Sequence, residues 1–469
     1  MSKHNCLLLA GTGFVLFGCT MAPRYSRPAA PIPAEWPSGL AYGGAARYAN
    51  APDASHLRWL EFFADDKLTK VIELALANNR DLRLATLNVE AARAAYGIQR
   101  NALLPTINAT GAQVKGRASA DLTPPLTPRV SDTYKVDLGA VAWEIDLFGR
   151  IRSLKDKALE EYLATEQARR GAQILLVSAV ANAYLTEAAD REGLALTERT
   201  LQANKTAYDL VERQSKAGVA TELDLRRAQT LVDSARRDVA RYAQLVAQDE
   251  NALNLLVGAP LPSELRPSKL TEVKPPREVS PGLSSEVLLE RPDVLQAEGL
   301  LKAANANIGA ARASLFPRIS LTASVGRAST ELSGLFTGGT DTWSYSPQIM
   351  VPIFDTRAWS ALKVTKVQRE IAVAQYEKTI QSAFRDVADA LALRGTISQQ
   401  VSAQQSLVDA ATETARLSNA RYAKGVDDYL GVLDAQRSLY GAQQALVNLQ
   451  LVQLASHIRL YSALGGGWR

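Results

Sequence analysis

Cysteine and histidine are almost absent from this chain of 469 residues, with 2 of the first and 3 of the second. His4, His56 and His457 lie far apart and show no HExxH or other ligand spacing. Cys6 sits in an N-terminal apolar segment, which leaves Cys19 alone for the rest of the chain. A disulfide framework and a cysteine zinc site are thereby excluded. The stretch GTGFVLFG lacks the lysine of a phosphate-binding loop, and no catalytic constellation is present. Neither enzyme chemistry nor a metal or cofactor is expected. No apolar run after residue 20 is long enough for a membrane helix, which argues against a polytopic helical membrane protein. Charge of one sign is also lacking. The 53 basic and 48 acidic residues are interleaved, so the surface is solvated and nucleic acid is not an expected partner.

The N-terminus carries the first positive signal. Lys3 is followed by an apolar stretch from Cys6 to Phe17, too short to span a membrane, as in a secretory signal over residues 1–18. Leu16-Phe17-Gly18-Cys19 resembles a bacterial lipobox, whose cysteine is lipidated and becomes the new N-terminus. Acyl chains on Cys19 are the one covalent group expected, each buried CH2 contributing about 0.8 kcal/mol of membrane anchoring. By the same resemblance, Thr20 after the cysteine favours the outer membrane. The other reading is an ordinary leader with a stray cysteine. Pro23, Pro28, Pro31, Pro33 and Pro37 forbid an α-helix in the segment beyond it. It reads as an extended arm along the protein surface, or else as a linker.

The body repeats itself. Placing Asn79–Gly111 over Arg291–Ala323 without a gap matches Asp81 to Asp293, Gly97 to Gly309, Arg100 to Arg312, Pro105 to Pro317 and Ile107 to Ile319. Val177–Leu185 then aligns with Ala383–Leu391, and Gly218-Val219 with Gly425-Val426. Two copies of about 200 residues each are too long a period for a solenoid and suggest an internal pseudo-two-fold. The spans are 19–66 (arm and equatorial segment), 67–258 (repeat 1), 259–290 (linker), 291–464 (repeat 2) and 465–469 (tail).

Each repeat opens with a helix, Lys67–Leu104 or Arg291–Phe316, that stops before a proline. Two strands come next: 106–116 and 133–147, then 318–327 and 342–353. In the second repeat Ile319, Leu321, Ala323 and Val325 alternate with Arg318, Ser320, Thr322 and Ser324. Strand 106–116 is polar on both faces. Proline-free helical hairpins then fill 151–257 and 357–464. Their first arms would run on the order of 100 Å at 1.5 Å per residue. Helices that long must pack as coiled coils.

Tyr134, Trp343 and Tyr345 sit towards strand ends, as in a membrane girdle. Four strands cannot close a barrel, and an open edge in lipid leaves backbone groups unpaired. A spanning chain must therefore oligomerise, and three copies would supply twelve strands. The alternative is a soluble sheet whose apolar face rests on helices.

Several longer stretches point to a family. They are Trp143–Arg150 (WEIDLFGR), Glu290–Val294 (ERPDV), Ala313–Ile319 (ASLFPRI), Arg421–Asp427 (RYAKGVD), Tyr429–Arg437 (YLGVLDAQR) and Leu464–Trp468 (LGGGW). With the lipobox and its Pro-rich arm, the chain resembles the TolC-type outer-membrane efflux channels, in the lipoprotein branch that serves resistance-nodulation-division pumps. The resemblance implies a mixed α and membrane-β fold. A homotrimer would form a twelve-stranded barrel in outer-membrane lipid, joined to a periplasmic α-helical barrel. It also implies two partners, a periplasmic adaptor and an inner-membrane pump. The function implied is passive export of small toxic molecules. A duct for type I protein secretion and a lipid-anchored coiled-coil scaffold without a pore remain as alternatives.

The resemblance places the hairpin turns at the periplasmic tip. Gly218 and Gly425 permit the left-handed turn that ends a helix. Lys216 and Lys424 suit helix C-termini, Glu222, Asp427 and Asp428 suit the helix starts after each turn, and Thr221 with Asp224 fits a capping box. Gly218, Lys216, Asp224, Tyr422, Lys424, Gly425, Asp427 and Asp428 are assigned to the tip and its adaptor contact. Leu430 and Asp434 share a helix face. By resemblance that face looks into the tunnel, with Leu430 as an apolar constriction, Asp434 as a carboxylate ring and Arg437 as its partner. The capping roles, and a coiled-coil seam role for Leu430, are the purely structural alternatives.

Overall fold

The computed structural model describes residues 20–42, 52, 54, 57–282 and 284–468. The signal segment and Cys19 lie outside the described residues. The chain divides into two compact units, one of Met1–Ala29, Val89–Thr165 and Ala297–Tyr376, the other of Ala30–Asn88, Glu166–Gln296 and Glu377–Arg469. The units cut across the repeats. Each repeat gives two strands to the first unit and a helical turn-around to the second.

The first unit holds one antiparallel sheet in the order β1 (Ile107–Arg117), β2 (Val130–Ile145), β3 (Arg318–Ser329) and β4 (Asp341–Met350). Its register sorts the side chains by chemistry, because directly opposed residues share a face. Leu138 faces Val325, which faces Trp343; Ala140 faces Ala323, which faces Tyr345. Ile319 stands opposite Ile349. The other face carries Thr110 opposite Asp137 and Ser324 opposite Ser344. Trp343 is 81% exposed, so among the described residues no helix covers the apolar face there. That removes the support for a soluble sheet packed on helices. Tyr134 lies near the loop end of β2, opposite Ser329. Trp343 and Tyr345 are one strand repeat apart on β4. β4 stops at Met350, short of the expected 353, close before Pro352. Pro347 is tolerated inside β4 because that strand is an edge of the sheet. β1 is the other edge, and neither edge has a further strand partner among the described residues. A bulge between Ala140 and Trp143, with Ala142 at φ 50°, bends β2.

The expected helix Lys67–Leu104 is in fact two. After a short α1 (Trp59–Phe62) come α2 (Asp66–Asn78) and α3 (Arg80–Asn101). Asn79 divides them because it caps both. Its N–H donates to the Ala75 carbonyl at 2.8 Å, and its Oδ1 accepts from the Leu82 N–H at 2.9 Å. Its Nδ2 donates to the Leu256 carbonyl at 2.9 Å. A buried asparagine with these partners ends one helix and starts another without an unpaired group.

The hairpins are α4 (Arg150–Lys216) with α5 (Glu222–Val257), and α7 (Thr356–Ala423) with α8 (Tyr429–Ala463). Between them α6 (Pro292–Ala313) begins with proline in its first turn. Along α5 the buried positions Ala228, Leu231, Val232, Ala235, Asp238, Tyr242, Val246, Leu253 and Val257 form one seam at spacings of three, four and seven residues. One window of α4 is apolar enough by composition to cross a membrane, which the sequence reading did not anticipate. It behaves as a core segment, 56% of it being buried inside the chain.

The N-terminal arm is docked, not a free linker. In the first unit, the Asn305 amide donates to the Pro23 carbonyl at 2.7 Å and Arg312 to the Met21 carbonyl at 3.1 Å. Arg27 donates twice to the buried Glu298 carboxylate, at 2.6 and 3.1 Å, and the Tyr25 hydroxyl adds a third bond at 3.0 Å. Burial would raise the Glu298 carboxyl, but Arg27, Lys302 and Tyr25 outweigh it and hold it below its ordinary range. In the second unit, Ser285 donates to the Pro33 carbonyl at 2.6 Å, and Trp36 stacks on Phe384 at 5.4 Å.

Candidate gate at the helical tip

Two hairpin turns of the second unit build the candidate site. The first leaves α4 through Gly218, whose φ of 76° only glycine adopts without strain. The Val219 and Ala220 N–H groups fold back onto the Gln214 carbonyl at 2.8 and 3.2 Å. Thr221 then caps α5. Its hydroxyl accepts from the Asp224 N–H at 3.1 Å, and the Asp224 carboxylate accepts from the Thr221 N–H at 3.3 Å. The second turn passes through Gly425 at φ 69°, with the Val426 N–H on the Arg421 carbonyl at 3.0 Å.

The second turn is fastened differently from the expectation. Asp427 does not serve the start of α8. Arg421 clamps it across the turn with two bonds, at 2.5 and 2.8 Å, and this holds the Asp427 carboxyl below its ordinary range. Asp428 takes the cap, accepting from the Gly431 N–H at 3.3 Å. Lys216 pairs with Glu212 at 3.1 Å. Lys424 forms no ion pair among the described residues and is exposed.

An apolar cluster locks the two turns to each other. Val211 of α4, Ala228 and Leu231 of α5, and Tyr429, Val432 and Leu433 of α8 are all buried together. Tyr422 of α7 packs on the cluster, 5.1 Å from the Tyr429 ring, and its hydroxyl donates to Gln214 at 3.1 Å. Burial pushes the Tyr429 hydroxyl up to about 12, and its oxygen has no hydrogen-bond partner among the described residues. The sequence reading missed Gln214, Val211, Tyr429 and the Arg421–Asp427 clamp. The clamp had a visible signal, since RYAKGVD puts opposite charges at both ends of a glycine turn.

With Tyr429, Val432 and Leu433 turned inward, α8 presents Leu430, Asp434 and Arg437 outward. Leu430 is 40% exposed, an unusual place for a leucine if it were a buried seam residue. Arg437 does not pair with Asp434. Among the described residues no ion pair joins them, although three residues separate them on one helix. The Asp434 carboxylate is therefore left without an ion-pair partner among the described residues. The arrangement offers an apolar side chain and a bare carboxylate, four residues apart, on the free face of a helix that a rigid cluster positions.

Comparison with known proteins shows the family and the fold. The family model described as outer membrane efflux protein matches residues 71–259 and 283–466. The toluene efflux pump outer membrane protein TtgC of Pseudomonas putida is 47% identical over 465 residues, 99% of this chain and 96% of its own. The antibiotic efflux pump outer membrane protein ArpC of Pseudomonas putida has the same identity and coverage. The open-state crystal structure of the Neisseria gonorrhoeae MtrE outer membrane channel superposes with a TM-score of 0.85 at 38% identity. That match covers 96% of this chain and 99% of the other.

Proposed function

Because the chain belongs to the outer membrane efflux protein family, we propose that three copies of it close one passive duct for small toxic molecules. The protein is an outer-membrane component of an efflux system, with a part extending into the periplasm.

The observation that carries the proposal is the sheet. Among the described residues it has an uncovered apolar face, a polar face and two edges without a strand partner. In lipid, unpaired edges cost several kcal/mol per backbone group, and joining β1 of one copy to β4 of the next removes them all. Three sheets of four strands then make a twelve-stranded barrel with a polar lumen. Tyr134, Trp343 and Tyr345 would face lipid. Acyl chains on Cys19 would add an anchor to the outer membrane.

The α-hairpins would continue the lumen into the periplasm and narrow at the tip. There three copies of Leu430 form an apolar constriction, and three copies of Asp434 form an acidic ring that favours cations. The lack of an internal partner for Asp434 suits that filter. Opening requires the tip turns to separate. The driving free energy would come from a periplasmic adaptor contacting the tip residues Lys216, Gly218, Asp224, Tyr422, Lys424, Gly425, Asp427 and Asp428, and from the inner-membrane pump behind it. Relatives named for toluene and antibiotic efflux favour small, largely apolar cargo over secreted proteins.

A photocrosslinking residue at Lys424 in intact cells tests this reading. Capture of a periplasmic adaptor together with a proton-driven pump is expected. Capture of an ATP-driven protein exporter would transfer the duct to protein secretion, and capture of this chain alone would favour the scaffold.

A further inference from the structure

A cavity of about 590 Å³ lies among α4, α5, α7 and α8, just inside the tip cluster. Its volume suits a drug-sized molecule. Its lining is divided by chemistry. Leu231 and Leu439 supply hydrocarbon surface. Asn204 is 8% exposed and donates its amide N–H to the Leu231 carbonyl at 3.2 Å. Arg437 contributes a guanidinium with no ion pair among the described residues.

An unpaired guanidinium beside apolar walls is complementary to one kind of solute. The solute carries one carboxylate, which takes the two parallel N–H groups of an arginine, and a ring or short chain that covers the leucines. We propose that this cavity is a binding site for a small amphipathic carboxylate, with Arg437 holding the acid and Leu231 and Leu439 the hydrocarbon. That occupancy would bear on export rests on the gate reading, since Arg437 shares the exposed face of α8 with Leu430 and Asp434. Binding itself does not depend on it.

The test is calorimetric titration of the full-length protein in detergent with 2-naphthoate, and with the uncharged 2-naphthamide for comparison. Saturable binding of one 2-naphthoate per chain is expected, at least tenfold tighter than 2-naphthamide. Arg437→Gln should weaken 2-naphthoate tenfold or more. Ser234→Phe, which fills the cavity from its exposed rim, should abolish binding of both. Arg437 and Ser234 are exposed, so neither change disturbs the core. Absence of saturable binding up to millimolar probe, or binding that neither substitution alters, would overturn the proposal. The readout involves no current. Binding that behaves as expected beside unaltered conductance of gate variants would count against the gate alone.

Discussion

Removing the carboxylate of Glu298 should release the first part of the N-terminal arm. Glu298 is 3% exposed and receives Tyr25, both ends of Arg27 and, at 3.3 Å, Lys302. Hydrogen bonds to a charged group contribute about 1.5–3 kcal/mol each in favourable surroundings. Arg27 is 47% exposed, and solvent screens its share toward the lower end. For Glu298→Ala a loss of about 2 kcal/mol is expected, or roughly a 30-fold rise in the fraction of detached arm. Trypsin reads that fraction at Arg24, since the Arg27–Pro28 bond resists it. When opening is fast relative to cleavage, the cutting rate tracks the open population. Cleavage after Arg24 should therefore accelerate about 30-fold. Ser285→Ala, which touches the arm at Pro33, should leave it unchanged. A rate within about threefold of wild type in Glu298→Ala would refute the reasoning, because the arm would then be held by something other than this network.

Three other perturbations have definite expected outcomes. Tyr429→Phe removes a buried hydroxyl that has no partner and should leave the thermal midpoint equal or higher, whereas Tyr422→Phe loses the bond to Gln214 and should lower it; scanning calorimetry ranks the two. Gly395→Ala drives a methyl into the Ala41 carbonyl and should displace the arm, raising proteolysis near residue 41, while Gly171→Ala meets nothing within 4 Å and should stabilise its helix by up to about 1 kcal/mol. Burial, and then Asp190 beside it, push the Asp249 carboxyl up to about 7. The folded state then holds a proton that the unfolded chain releases near pH 4, so stability falls as pH rises from about 4 to about 7. Asp249→Asn should flatten that fall, which melting curves across the pH range measure.

What the sequence made legible was periodic. The alternation in 318–326 located β3, and the long proline-free runs located α4 and α7, because side-chain spacing is set by the local backbone. The polar strand 106–116 was equally real. It borrows its place from the pairing of Ile107–Arg117 with Val130–Ala140, which lies outside any local pattern. The division at Asn79 depended on a bond to Leu256, far away in sequence, and nothing local announces it. At the tip, the glycine turns and the Thr221 box were readable from short-range chemistry. The tip cluster was not, since Val211, Leu231 and Tyr429 meet only once two hairpins are side by side. The expected Asp434–Arg437 pair fails for a related reason. Three-residue spacing permits contact on a helix, but exposed side chains gain little from making it.

Single-channel recording in planar lipid bilayers tests the central claim, that three chains form a duct closed at Leu430 and Asp434. The full-length protein should give small, rarely opening, cation-favouring currents. Leu430→Ala combined with Asp434→Ala removes both the apolar constriction and the carboxylate ring, and should yield larger, long-lived currents with reduced cation preference. Currents identical to wild type in the double variant, or no current from either protein, would contradict the account.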